Sequence, residues 1–101
     1  MIPRALLGSF LGGWLLIFGL LSCVTHIPEE ELMLAEVAVE AARDAKADFH
    51  SPALFSASED YLKAAQKARS ERDFDQARVL ALRAKEFAEK AEEEAVMKQE
   101  R

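Results

Sequence analysis

Apolar positions divide this chain into two unlike parts. From Ala5 to Leu21 they run almost without interruption, as ALLGSFLGGWLLIFGLL. From residue 29 onward they recur every three or four residues among charged ones. The second pattern is that of amphipathic helices, and it predicts three of them. Helix one starts at Pro28 or Glu29, where proline suits a first turn and Glu29, Glu30 and Glu31 suit the positive end of the helix dipole. It runs to about Phe49 along a seam of Ala35, Ala38, Ala42, Ala45 and Phe49, with Leu34, Val37 and Ala41 widening that face. The stretch HSP then breaks the helix. Ser51 is read as the N-cap and Pro52 as a first-turn residue of helix two, and Pro52 also disfavours a helical Ser51. Helix two runs to about Ser70 on Leu54, Ala57, Tyr61, Ala64 and Ala68, with Leu62 and Ala65 beside them. A second break, SERD, places Asp73 as a cap with Gln76 at the capping-box position. Helix three follows to near the C-terminus. Its seam of Phe74, Ala77, Ala81, Ala84, Ala88, Ala91 and Ala95 steps by 3 and 4 in strict alternation.

A seam of methyl groups lets helix backbones approach closely but removes little apolar area from water at each contact. The larger residues, among them Leu54, Phe55, Tyr61, Leu62, Phe74, Leu80 and Phe87, must supply most of the burial. The expected fold class is therefore all-α: a small antiparallel three-helix bundle or helical hairpin with a long C-terminal helix. The end of that helix, EFAEKAEEEAVMKQER, has two fates open to it. It either protrudes as a charged single helix or is buried by self-association along the alanine seam.

Composition sharpens the division. All four glycines and the single tryptophan precede Cys23, and every acidic residue follows it. Residues 23–101 contain 17 alanines and carry 12 Lys and Arg against 18 Asp and Glu, a net of −6. An acidic surface argues against nucleic-acid binding and gives no electrostatic pull toward anionic lipid. One cysteine cannot form an internal disulfide.

The N-terminal part has the layout of an export signal: the basic start MIPR, the apolar stretch, and small or apolar residues before Cys23. The stretch Leu20-Leu21-Ser22-Cys23 resembles the bacterial lipobox. That resemblance implies cleavage before Cys23, an S-diacylglycerol on its sulfur and an N-palmitoyl group on the new amine. Two or three acyl chains anchor stably where one would not. The expected organisation is a signal peptide at 1–22, a lipid-anchored tether at 23–28 and an Ala-rich helical domain at 29–101. An uncleaved transmembrane helix from Ala5 to Val24 is long enough to span a bilayer, but its glycines lower helix propensity. Val24, not Asp, follows the cysteine. In a diderm host the resemblance then implies the outer membrane with the domain facing the periplasm; in a monoderm host it implies the outer face of the single membrane.

The run SPALFSASEDYLKAAQKARSERDFDQARVLALRAKEFAEKAEEEA, with Pro52, Leu54, Leu62, Ala65 and the Asp73-Phe74-x-x-Ala77 turn, resembles the domain-of-unknown-function family numbered 4398. Its members are Ala-rich helical domains of bacterial envelope lipoproteins, so the resemblance implies a helical fold and an envelope location but no activity. Members usually have glycine in the second turn, where this chain has Arg72. The spacing of Tyr61, Ala65, Ala77 and Ala84 also resembles one tetratricopeptide repeat, without a second copy to stack on.

Candidate chemistry is sparse. His26 falls in the tether. His50, at the end of helix one, is read as a dipole contact. Asp48 and His50 are too few for a metal site, which needs three or four ligands. Glu92, Glu93 and Glu94 are read as a solvated face, and Glu86 with Lys90 as an i,i+4 surface pair. No catalytic, cofactor-binding or metal residues are expected, and no small-molecule substrate. The expected role is a non-catalytic, membrane-anchored envelope lipoprotein with a structural or assembly function. Its expected partners are membrane lipid through Cys23, and another envelope protein or a second copy. A tetratricopeptide-like adaptor is the alternative. A covalent peptidoglycan link through a terminal lysine is not expected, because Arg101 ends the chain and Lys98 lies three residues short.

Overall fold

The computed structural model describes residues 27–100. The expected leader at 1–22, Cys23 and the tether as far as His26 lie outside the described residues, as does Arg101. The described residues form four helices and no strand: α1 (Glu29–Asp44), α2 (Ala47–His50), α3 (Pro52–Ser70) and α4 (Phe74–Gln99). The long C-terminal α4 is the spine, and α1 and α3 both lie along it.

Polar contacts set the helix directions. Glu29, Glu36 and Arg43 of α1 meet Arg69, Gln66 and Glu59 of α3 in that order, so the two helices run antiparallel. At the start of α1, Glu31 meets Arg78 at the start of α4; at its end, the Ala45 carbonyl accepts from Gln99. Those two helices run parallel. The result is the expected up-down-up bundle.

The alanine seam of α4 packs as its spacing predicts. Ala77, Ala81, Ala84, Ala88, Ala91 and Ala95 are completely buried, while Phe74 is only half-buried. The core falls into two clusters along the spine. One gathers Val39, Ala42, Ala47 and Phe55 around Ala88, Ala91 and Ala95; the other gathers Leu32, Ala35 and Ala65 around Ala81 and Ala84. The α4 seam is thus filled from within the chain.

Three expectations need correction. First, helix one does not continue to Phe49. It ends at Asp44, Lys46 takes a left-handed conformation (φ 61°), and the chain restarts as the single-turn α2. The bend buries Ala47 completely and leaves Phe49 78% exposed. Second, the core face of α1 is centred on Ala35, Ala38 and Ala42 as expected, but its large residues lie on the other flank. Leu32 and Val39 are buried, whereas Leu34 and Val37 are exposed. Only the Leu32–Val39 flank points into the angle between α3 and α4. Third, the buried residues of α3 are Phe55, Ser58, Ala65 and Ala68, so its inner face is rotated from the expected seam and Tyr61 is half-buried. Buried Ser58 satisfies its hydroxyl on the Phe55 carbonyl (2.6 Å).

The turn between α3 and α4 has a specific geometry. Arg72 N–H donates to the Arg69 carbonyl and Asp73 N–H to the Ala68 carbonyl, with Arg72 at φ 62°. These are the two bonds of a Schellman motif, whose left-handed position favours glycine. Arg72 occupies that position. Asp73 then caps α4 by accepting from the Gln76 N–H (3.4 Å).

Candidate interaction surface

The C-terminal turn of α4 does not protrude. Lys98 donates to the His50 carbonyl (2.6 Å) and Gln99 to the Ala45 carbonyl, so two side chains close the ends of α2 and α1. A cation at a helix C-terminus also complements the dipole. Lys98 pairs with Glu94 as well (2.8 Å). The Lys98 ammonium first, and then the Ser51 hydroxyl, hold the Glu94 carboxyl below the usual glutamate range. Ser51 sits at the N-cap position of α3 as expected, but it makes no capping bond there. Its buried hydroxyl turns to Glu94 on the facing helix instead.

The other singled-out residues disperse. His50 closes α2 and packs T-shaped with the Phe49 ring (centroids 5.0 Å apart). Among the described residues no group of three His, Cys, Asp or Glu side chains could hold a metal ion. Glu86 and Lys90 form the expected surface pair (3.1 Å). Of the glutamate run, Glu93 is exposed and Glu92 half-buried, while Glu94 belongs to the C-terminal clamp. The residues of the tetratricopeptide-like spacing are engaged in packing: Ala65, Ala77 and Ala84 are fully buried and Tyr61 stacks on Phe87.

Two shallow hollows flank Arg69. One, of about 380 Å³, lies between α1 and α3 beside Leu32 and Met33; the other lies beside Ile27 and Phe74. Arg69 is committed to Glu29 between them, and Arg72 also lines the second hollow.

The exposed apolar residues are distributed unevenly. Met33, Leu34 and Val37 stand out on α1, and Val79, Leu82, Val96 and Met97 on α4, while α3 exposes no large apolar side chain. The outer face of α3 carries Ser56, Asp60, Lys63 and Lys67. No described helix is long and apolar enough to cross a membrane. Sequence reading missed this surface because it assigned Leu34 and Val37 to the core. It missed the clamp because Lys98 and Gln99 act on carbonyls about fifty residues earlier in the chain.

The family described as Domain of unknown function (DUF4398) matches residues 30–101, and the chain belongs to it. No curated protein and no solved structure matches the chain.

Proposed function

We propose that this protein is a non-catalytic lipoprotein of the bacterial envelope, anchored through acyl groups on Cys23, whose helical domain supports or assembles with another envelope protein. The observation that carries the reading is Leu20-Leu21-Ser22-Cys23 at the end of the apolar leader, six residues before the first helix opens at Glu29. Two acyl chains and a short tether would hold the bundle against the membrane surface. In a diderm host, Val24 after the cysteine favours the outer membrane with the bundle in the periplasm.

Palmitate labelling of the expressed chain tests the anchor. Label is expected on the wild type and none on Cys23→Ser. An unlabelled wild type, or label retained by Cys23→Ser, rejects the anchor.

The adaptor reading draws support from the exposed apolar residues of α1 and α4. It would not use the tetratricopeptide-like positions, which are occupied by packing.

A further inference from the structure

We propose that the face formed by α1 and α4 docks a cationic amphipathic segment of another protein. The apolar component of that face comes from both helices at one level. Leu34 and Leu82 follow the Glu31–Arg78 pair by one turn on parallel helices, and they are 44% and 48% exposed. Val37 (61% exposed) extends the strip on α1, and Val96 stands farther along α4, beyond the Lys85–Glu89 pair. Val96 shares the helical phase of Arg78 and Leu82, the phase that meets α1.

The charge of the face identifies the partner. The only cation of α1, Arg43, is paired with Glu40 and Glu59. All five cations of α4 also have a carboxylate within 4 Å: Arg78 with Glu31 and Asp75, Arg83 and Lys90 with Glu86, Lys85 with Glu89, and Lys98 with Glu94. By contrast, Glu30 and Asp44 of α1 and Glu93 of α4 have no cation that close among the described residues. The face therefore shows apolar side chains inside a residual negative rim. Charge complementarity selects a helix with leucine-like residues flanked by Lys or Arg. A second copy is disfavoured, since symmetric pairing would set the negative rim of one copy against that of the other. Anionic lipid is disfavoured by the same sign.

This deepens the proposed assembly role and rests on its binding half, not on the anchor. The test uses the full chain in nanodiscs of zwitterionic lipid, with empty discs as the blank. The probe is a synthetic 18-residue peptide with leucines at helical three- and four-residue spacing, flanked by lysines. A second peptide replaces every lysine by glutamate. The lysine peptide is expected to bind and the glutamate peptide not to bind. Val37→Glu with Leu82→Glu is expected to weaken binding at least tenfold. The charge-matched control on α3, Ala53→Glu with Ser56→Glu, is expected to leave it unchanged or tighten it. The contrast is decisive because added glutamates would strengthen a purely electrostatic association. Val37→Gln with Leu82→Gln repeats the test without added charge, and circular dichroism confirms helix content. Failure of the lysine peptide to bind overturns the proposal. So does undiminished binding by the Val37/Leu82 variants, or a wild-type dimer in sedimentation that those variants dissociate. A Cys23→Ser chain is expected to bind the peptide like the wild type, so this proposal and the anchor fail separately.

Discussion

Tyr61 of α3 lies nearly flat against Phe87 of α4, with ring centroids 5.3 Å apart and planes inclined by 22°. In a core built of alanines, this stack contributes apolar contact that methyl groups do not, and Lys90 covers the Phe87 ring from the solvent side (5.6 Å to the centroid). Both rings are half-buried. The pair should couple by about 0.5–1.5 kcal/mol beyond its area burial. A double-mutant cycle of Tyr61→Ala and Phe87→Ala, followed by urea unfolding, measures that coupling. Strictly additive effects would contradict it.

The alanine seam should resist enlargement. Ala84 is fully buried where α1 and α3 both approach α4. Ala84→Leu should destabilise by about 1–3 kcal/mol or more, because the added methylenes force the helices apart. Leu82→Ala, on the exposed face, should change stability by no more than about 0.5 kcal/mol. Thermal unfolding of the two variants makes the comparison, and equal effects would contradict the packing described above.

Arg72 should be improvable. It holds a left-handed conformation (φ 62°) at the position of the turn that favours glycine. A residue with a Cβ pays about 1–2 kcal/mol there, whereas glycine adds about 0.5–1 kcal/mol of unfolded-chain entropy. Arg72→Gly should therefore stabilise the bundle by roughly 0.5–1 kcal/mol. Arg72→Val should destabilise it. Urea midpoints measure both, and a loss of stability in Arg72→Gly would contradict the assignment.

The Glu94 clamp should weaken in acid. Its carboxyl is held low by Lys98 and then Ser51, so the folded state binds that proton less readily than the unfolded chain. The resulting stabilisation is present above the ordinary glutamate range and is lost as pH falls through the lower folded value. In an NMR titration, Glu94 should protonate below the ordinary glutamate range, and Lys98→Met should move it upward. No displacement in Lys98→Met would contradict the pairing.

Much of the architecture was legible in the residue pattern. The alternation of 3 and 4 from Ala77 to Ala95 places one methyl on the same side at every turn, and no other phase of α4 offers a continuous apolar line. Proline at 52 and the Ser70–Asp73 break mark helix ends through local backbone chemistry, so they too were readable. The capping role of Asp73 is local in the same sense, being confined to its own first turn.

What stayed hidden depends on groups far apart in sequence. Ala45, Lys46 and Ala47 are all good helix formers, and nothing local ends α1 there. The break persists because Ala47 packs into the core and because Gln99 and Lys98 take up the Ala45 and His50 carbonyls. Likewise, Leu32 with Val39 and Leu34 with Val37 flank the same alanines, and the helical period alone does not choose between them. The position of α3 chooses, by enclosing one flank and leaving the other in water. The sequence by itself determined that these segments are helical and which methyl groups of α4 zip them, because those follow from local propensity and period. Only the tertiary structure decided which large side chains are enclosed and which remain outside, because burial is a relation between helices rather than a property of any one of them.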